Sequence, residues 1–316
     1  MIIKLFPRLH LTLISMHDGG YRRNGGFGFA ISEPSITVKF QKTDSLEIID
    51  NRVFGLDGDE AARLLDILQK EILQNSCKIE IIGDTQSHMG FGSGTAIRLA
   101  AIEGLYLLND YTYTSDELIA ASGRGGTSGV GVHTYFHGGY SFDVGRKSGV
   151  LAPSCSVESK YTKPLHIAGG KMPNWKIGIC IPNSIHPKSE AEEKEFFDST
   201  CPIEPHESYE ATYHAVFGLL AGAKDRCLDS FCEAVQNIQQ CKWKSAERSL
   251  YGDGLFEIEK ALYDCGASAV GMSSLGPSLF FVGADIDTVC EKAKKLLDCN
   301  IFVTTPRNNG REIVDG

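Results

Sequence analysis

The sequence predicts an α+β protein built in two halves. Three observations carry that reading. Strand-like and helix-like patterns are mixed along the whole chain, glycine clusters crowd the first half, and the aperiodic stretch Pro153–Pro173, with Pro, Ser, Lys and Gly, interrupts the pattern near the middle. The expected division falls at residue 155, giving units 1–155 and 156–316.

In the first unit, Ile36–Phe40, Leu46–Ile49 and Ile79–Ile82 have the β-branched content of strands. Asp59–Leu73 predicts an amphipathic helix, with Ala62, Leu65, Ile67, Leu68 and Ile72 on its apolar side and acidic residues at its start. Ala96–Leu108 predicts a second, more apolar and therefore buried helix. Thr114 and Glu117 form a capping box for a short helix ending near Ser122. In the second unit, Lys176–Ile181 predicts a strand, and Glu207–Leu219, Arg226–Gln240 and Leu255–Tyr263 predict helices. A strand pair (Ser268–Gly271, Leu279–Val282), a helix (Asp287–Leu297) and a closing strand (Ile301–Thr304) complete it. Charged Ser189–Glu195 is expected to be a solvated loop or helix face. No internal repeat is present.

Composition removes several function classes. Hydrophobic residues at 42% and charged residues at 22% are ordinary for a globular protein. No stretch reaches the roughly 20 apolar residues of a membrane helix. The opening Met1–Pro7 is too short and too quickly polar for a secretory signal, so a cytoplasmic setting is expected. The net charge is −9 and no basic stripe exists, which argues against nucleic acid as a partner. None of the ten cysteines forms a C-x-x-C pair; they read as scattered thiols rather than a metal or disulfide framework.

Four glycine-rich clusters are candidates for chemistry: Asp18–Gly28 (containing Arg23, Gly25 and Gly26), His88–Ala96, Gly123–His133 and Gly271–Ser278. The second has the clearest physics. Gly90, Gly92, Ser93, Gly94 and Thr95 run straight into a helix, so unpaired N–H groups, a positive dipole end and two hydroxyls face an anion. No Gly-Lys-Ser/Thr follows, which excludes a Walker A loop. In the third, Arg124 stands beside Gly125, Gly126, Thr127, Ser128 and Gly129, a set suited to gripping phosphate or carboxylate. Together the clusters point to a phosphate-rich ligand. His10 falls in an alternating strand, on the face turned outward or into a cleft. His133 and His137 have the four-residue spacing of helical metal ligands, but no matching carboxylate or thiol accompanies them, so structural roles are expected.

In this order the clusters resemble the GHMP superfamily of small-molecule kinases. Gly90–Ala96 resembles their phosphate loop and Ser273–Ser278 their C-terminal glycine-rich motif. The resemblance implies a ribosomal-protein-S5-like N-terminal domain and a ferredoxin-like C-terminal α/β sandwich. It also exposes departures. Ser128-Gly129-Val130-Gly131 stands where mevalonate-type kinases carry Ser-Gly-Ile-Asp, and Pro7-Arg8-Leu9 where Pro-Gly-Lys is found. Without that acid and that lysine, phosphoryl transfer loses its main protein contributions.

One branch, the β-ribofuranosylaminobenzene 5′-phosphate synthases, is similar over almost the whole chain. The similarity rests on Arg8-Leu9-His10, Gly25-Gly26-Phe27-Gly28, the run Gly123–Gly129, Gly138-Gly139 and Ser273–Pro277. It implies decarboxylative joining of phosphoribosyl pyrophosphate to 4-aminobenzoate or 4-hydroxybenzoate on the way to methanopterin-type cofactors. Mg²⁺ and a homodimer are implied with it. An azole carboxylate acceptor, as in C-nucleoside synthesis, an ATP-dependent kinase and a non-catalytic phosphate sensor are the alternatives. On this reading the Gly90–Thr95 loop and the Arg124–Gly129 cluster hold pyrophosphate. Arg8, Arg23 or both hold the 5′-phosphate or the acceptor carboxylate, His10 orients the acceptor, and Ser273-Ser274 closes the opposite wall. Asp143 serves either a metal or a structural turn.

Overall fold

The computed structural model describes residues 1–53, 55–71, 74–84, 86–148 and 163–314. The expected boundary at 155, Cys155, and the last turn of the first predicted helix (Ile72, Leu73) lie outside them.

In chain order the elements are β1 (Ile2–Leu5), β2 (Arg8–Ser15), β3 (Arg22–Ala30), β4 (Ile36–Thr43), β5 (Glu47–Asp50), α1 (Gly58–Glu71), β6 (Ser76–Gly83), α2 (Ser93–Leu108), α3 (Ser115–Ser122) and α4 (Val130–His137). There follow β7 (Tyr140–Asp143), β8 (Arg146–Lys147), β9 (His166–Gly170), β10 (Ile177–Pro182), α5 (Glu190–Thr200) and α6 (Pro205–Tyr213). α6 runs through a π-helical stretch, His214–Leu220, into α7 (Ala221–Asp225). The chain then adds α8 (Leu228–Gln240), α9 (Lys242–Ser249), α10 (Asp253–Asp264), β11 (Ala269–Met272), β12 (Leu279–Val282), α11 (Ile286–Leu296), β13 (Cys299–Thr304) and β14 (Glu312–Val314).

Three sheets result. The first has the order β14-β1-β4-β6-β5, with only β5 and β6 parallel. Its period-2 pattern turns Ile3, Leu5, Val38, Phe40, Ile79 and Ile81 onto α1 and α2. Gly104, mid-helix in α2, lets that helix close on the sheet: a Cβ there would overlap the Phe40 ring at 2.2 Å. The second sheet runs β2-β3-β7-β9, with β8 beside β3. The third is antiparallel, order β11-β12-β10-β13, with α8, α10 and α11 against it, which is the ferredoxin-like arrangement. Phe27 and Phe29 of the second sheet meet Phe231 of α8 edge-on or tilted, about 6 Å between ring centres, tying the two halves together. β9 pairs with β7, and β14 returns to β1, so both strands cross from the second half to the first.

The elements expected from the sequence are present, with β1, β3, α4, β7, β9 and α9 in addition to them. β2 alternates in sequence yet is buried on both faces, because α4, α6, α8 and α9 all pack against it. Of the two expectations for Ser189–Glu195, the helix face holds: the segment opens α5 through a capping box between Ser189 and Glu192. Ile301–Thr304 does not close the fold, since β14 follows it.

Candidate active site

Two open cavities lie side by side where the Gly90–Thr95 loop meets the C-terminal glycine-rich loop. They share a wall of Arg8, Thr95, Arg124, Glu193, Ser274 and Leu275.

The polar cavity is built on α2. Gly92 caps the helix in the left-handed region (φ 73°) without a side-chain cap, and no acidic residue occupies the first turn. That end, with Ser93, Gly94 and Thr95, therefore offers unneutralised positive dipole and N–H groups. Glu60, His88 and Glu190 complete the lining. The loop before α2 is fixed from both chain ends: the Gly90 carbonyl accepts from Arg8 Nη1 (2.8 Å) and from the Ser273 hydroxyl (2.8 Å). Gly90 itself has φ 87°, and a Cβ there would lie 2.1 Å from the Ser273 carbonyl.

The second cavity carries apolar walls, with Leu13, Val132, Phe197 and Leu275 beside Gly125–Ser128, Gly131 and His10. A register shift in the β2–β3 ladder between His10 and Thr12 accompanies the buried histidine. The His10 N–H donates to Ser273 Oγ (3.1 Å), its carbonyl accepts from Ser274 N (2.8 Å), and its Nε2 has no partner. Burial, with Arg8 and Lys244 nearby, holds the His10 pKa well below the usual value, so the imidazole is neutral. Lys244 and Glu247, both buried, pair at 2.6 Å; Lys244 also donates to the Ser274 carbonyl and Trp243 Nε1 to Glu247.

The arginines are electrostatically exposed to ligand. Arg8 Nε and Arg124 Nε are buried without partners, and an unsatisfied guanidinium donor costs free energy that a bound oxyanion would recover. The acids are mostly committed: Glu60 to His88 (3.4 Å), Glu190 to Arg63, and Glu247 to Lys244. Burial would raise the Glu60 pKa, but hydrogen bonding and charge from His88, with smaller help from the Asp57 backbone and Arg124, hold it low and ionised. Among the described residues, the cation nearest Glu193 is His88, at 4.0 Å.

The structure brings together Arg8, His10, Gly90, Gly92, Ser93, Gly94, Thr95, Arg124–Ser128 and Ser274 as predicted. Arg23, Gly25, Gly26, Gly129, Asp143 and Ser273 line neither cavity. Arg23 is buried 3.4 Å from Asp18. Gly25 donates to the Thr127 carbonyl (3.0 Å), and Gly26 lies under the His10 ring. Asp143 has the hydrogen bonds of a turn residue. Its carboxylate accepts from Ser128 Oγ (2.8 Å), Gly129 N (2.9 Å) and Gly145 N (2.9 Å), and complete burial raises its pKa to about 6. It pins the Ser128 turn. His133 is structural too, stacked on His166 at 4.0 Å.

Sequence reading missed Glu60, His88, Glu190, Glu193, Phe197 and Glu247. One signal was available: the Ser189/Glu192 capping box starts a helix on which Glu190, Glu193 and Phe197 share a face.

The fold is first of all one shared with solved small-molecule kinases. Homoserine kinase from Cytophaga hutchinsonii superposes with a TM-score of 0.66 at 18% identity, covering 99% of this chain and 97% of that one. Mevalonate kinase from Methanococcus jannaschii gives 0.65 at 18%, covering 98% of each. No family model matches the chain. Among curated relatives, the β-ribofuranosylphenol 5′-phosphate synthase of Archaeoglobus fulgidus is 31% identical over 320 residues, 97% of both chains. The synthase of the same name from Methanocaldococcus jannaschii is 26% identical over 341 residues, 99% of this chain and all of that one. The chain belongs to the β-ribofuranosylphenol 5′-phosphate synthase family. Gly131 lines the second cavity, and a Cβ there would lie 3.5 Å from Thr95 and 3.8 Å from Arg8 Nε.

Proposed function

We propose that the chain joins phosphoribosyl pyrophosphate to 4-hydroxybenzoate, releasing carbon dioxide and pyrophosphate. The observation that carries this is the pairing, across a shared wall, of a polar, anion-seeking cavity with one that has an apolar side made by Leu13, Val132, Phe197 and Leu275. The name of the relatives favours a phenol product over an aniline; 4-aminobenzoate and azole carboxylates are the competing acceptors.

In this reading the pyrophosphate lies on Gly92–Thr95 with Arg8 and Arg124, where donors already aimed at the site stabilise the departing charge without rearrangement. The C1′–O bond breaks, and the ring carbon bearing the carboxylate attacks C1′. The C–CO₂ bond then breaks and returns its electron pair to the ring. The apolar walls, with Leu13, Phe197 and Leu275, hold the arene, and neutral His10 offers Nε2 as an acceptor for its hydroxyl. Glu60 and the Ser93 hydroxyl line the polar cavity as hard oxygen donors and fit Mg²⁺. Bound Mg²⁺ supplies charge neutralisation for the pyrophosphate. A homodimer and a cytoplasmic setting belong to the same proposal.

The test is acceptor-dependent pyrophosphate release, with Mg²⁺, phosphoribosyl pyrophosphate and a panel of 4-hydroxybenzoate, 4-aminobenzoate and azole carboxylates. Release with 4-hydroxybenzoate is expected. Turnover of ATP with a small alcohol, and none with phosphoribosyl pyrophosphate, would replace this reading with the kinase one.

A further inference from the structure

Four carboxylates line the two cavities: Glu60, Glu190, Glu193 and Glu247. Three have cationic partners close by: His88 for Glu60, Arg63 for Glu190 and Lys244 for Glu247. Glu193 is the exception, and it is also the one acid that lines both cavities. Its side chain is 27% exposed and its nearest cation, His88 Nδ1, is 4.0 Å away. An acid in a partly buried cleft, whose nearest counter-charge is 4.0 Å away and shared with Glu60, is costly to ionise unless a ligand supplies more positive charge.

The position of that acid decides what the ligand charge is. If pyrophosphate occupies the polar cavity and the arene the apolar one, the carbon exchanging one for the other sits at the shared wall. There the ribose gains positive charge as the C1′–O bond lengthens ahead of C–C bonding. We propose that Glu193 is a catalytic residue whose carboxylate lies against the ribose ring and stabilises the cation developing at C1′ and the ring oxygen. This rests on the proposed reaction. No proton moves in the step: the electron pair of the C1′–O bond leaves with pyrophosphate, and Glu193 acts through its charge. The groups facing Glu193 set its ionisation. Burial raises its pKa, His88 lowers it, Glu190 raises it, and Arg124 lowers it, with Glu247 adding a smaller upward push, leaving it at about 7. Ionisation is therefore the state that slightly alkaline conditions favour, and the state the proposal requires. Arg8 and Thr95 share the wall, but neither can offset a developing cation.

The test compares two ribose analogues on the full chain, with pyrophosphate and Mg²⁺ present, at about pH 8, above the Glu193 value. One is 1,4-dideoxy-1,4-iminoribitol 5-phosphate, whose ring nitrogen is cationic; the other is its neutral tetrahydrofuran isostere. Wild type is expected to prefer the cation by about tenfold or more, roughly 1.4 kcal/mol. Glu193→Gln is expected to abolish the preference while keeping affinity for the neutral analogue, and Glu193→Asp to restore part of it. Retained binding of the neutral analogue shows that the variant is folded. Equal binding of both analogues by wild type, or an undiminished preference in Glu193→Gln, overturns the role of Glu193 and leaves the proposed reaction standing. Binding of neither analogue by wild type removes both.

Discussion

The Ser273 hydroxyl donates to the Gly90 carbonyl at 2.8 Å, joining two loops that lie 183 residues apart in the chain. Arg8 Nη1 shares that carbonyl, so one oxygen gathers the N-terminal strand, the phosphate-type loop and the C-terminal loop. The polar cavity depends on this convergence, because it sets how closely the end of α2 faces Arg8 and Ser274.

Gly90→Ala tests the convergence. The new Cβ would enter the left-handed region and lie 2.1 Å from the Ser273 carbonyl, an atom of backbone that cannot rotate away. Strain of this kind costs on the order of 1–3 kcal/mol before the clash is counted. Thermal denaturation should show a lowered Tm, and turnover should fall at least about tenfold. An alanine variant with wild-type Tm and turnover would show that the loops are not locked together.

Arg124→Ala removes a guanidinium from the shared wall. A charge-assisted hydrogen bond to an anion is worth about 1.5–3 kcal/mol. The KM for phosphoribosyl pyrophosphate should therefore rise, or kcat fall, by about tenfold or more. Unchanged steady-state kinetics would remove Arg124 from the pyrophosphate site.

Gly131→Asp places an acid at the position that the resemblance assigns to the kinase aspartate. Space exists for its Cβ, 3.5 Å from Thr95, but the carboxylate would engage the unpartnered Nε of Arg8. The pyrophosphate then loses a cation to an internal pair, so KM should rise about tenfold or more with little change in Tm. Gly131→Ala should remain close to wild type. If the aspartate variant also stays close, Arg8 is not a pyrophosphate ligand.

These substitutions also show where the sequence was informative. The Gly90–Thr95 loop and the Arg124 cluster were legible because glycine, hydroxyl and arginine at a helix start have few other uses. The strands and helices of the C-terminal half were legible from their periods, whereas its ferredoxin-like arrangement was implied by the resemblance alone. Glu193 was not, because a charged helix start looks the same whether it faces water or a cleft; only the packing of α5 decides. Arg23 misled for the opposite reason. Its glycine-rich setting resembles a binding loop, but the structure uses those glycines to bring β3 against the Thr127 turn and the Asp143–Gly145 backbone. Strand pairing between β1 and β14 joins chain ends, and no local pattern encodes that partner.

His133 gives a pH dependence. Burial first, then the neighbouring His166 and His137, lower its pKa from 6.5 to about 3. Between those values the unfolded chain binds a proton that the native chain does not, so stability is fully present above about pH 6.5 and lost as pH falls. The imidazole is partly exposed, which reduces the effect. His133→Gln should lose less stability than wild type between about pH 7 and 5, by about 2 °C in Tm. Parallel Tm curves for the two proteins would mean that His133 does not resist protonation.

The central claim is that a carbon–carbon bond replaces a carbon–carboxylate bond on an arene. It is tested most directly by giving the enzyme phosphoribosyl pyrophosphate, Mg²⁺ and 4-hydroxybenzoate carrying ¹³C in its carboxylate, and weighing the products. The account predicts equal amounts of ¹³CO₂ and pyrophosphate, and a ribosyl-phosphate arene that has lost the label. A ribosylated product that keeps the label, attached through oxygen, would contradict it.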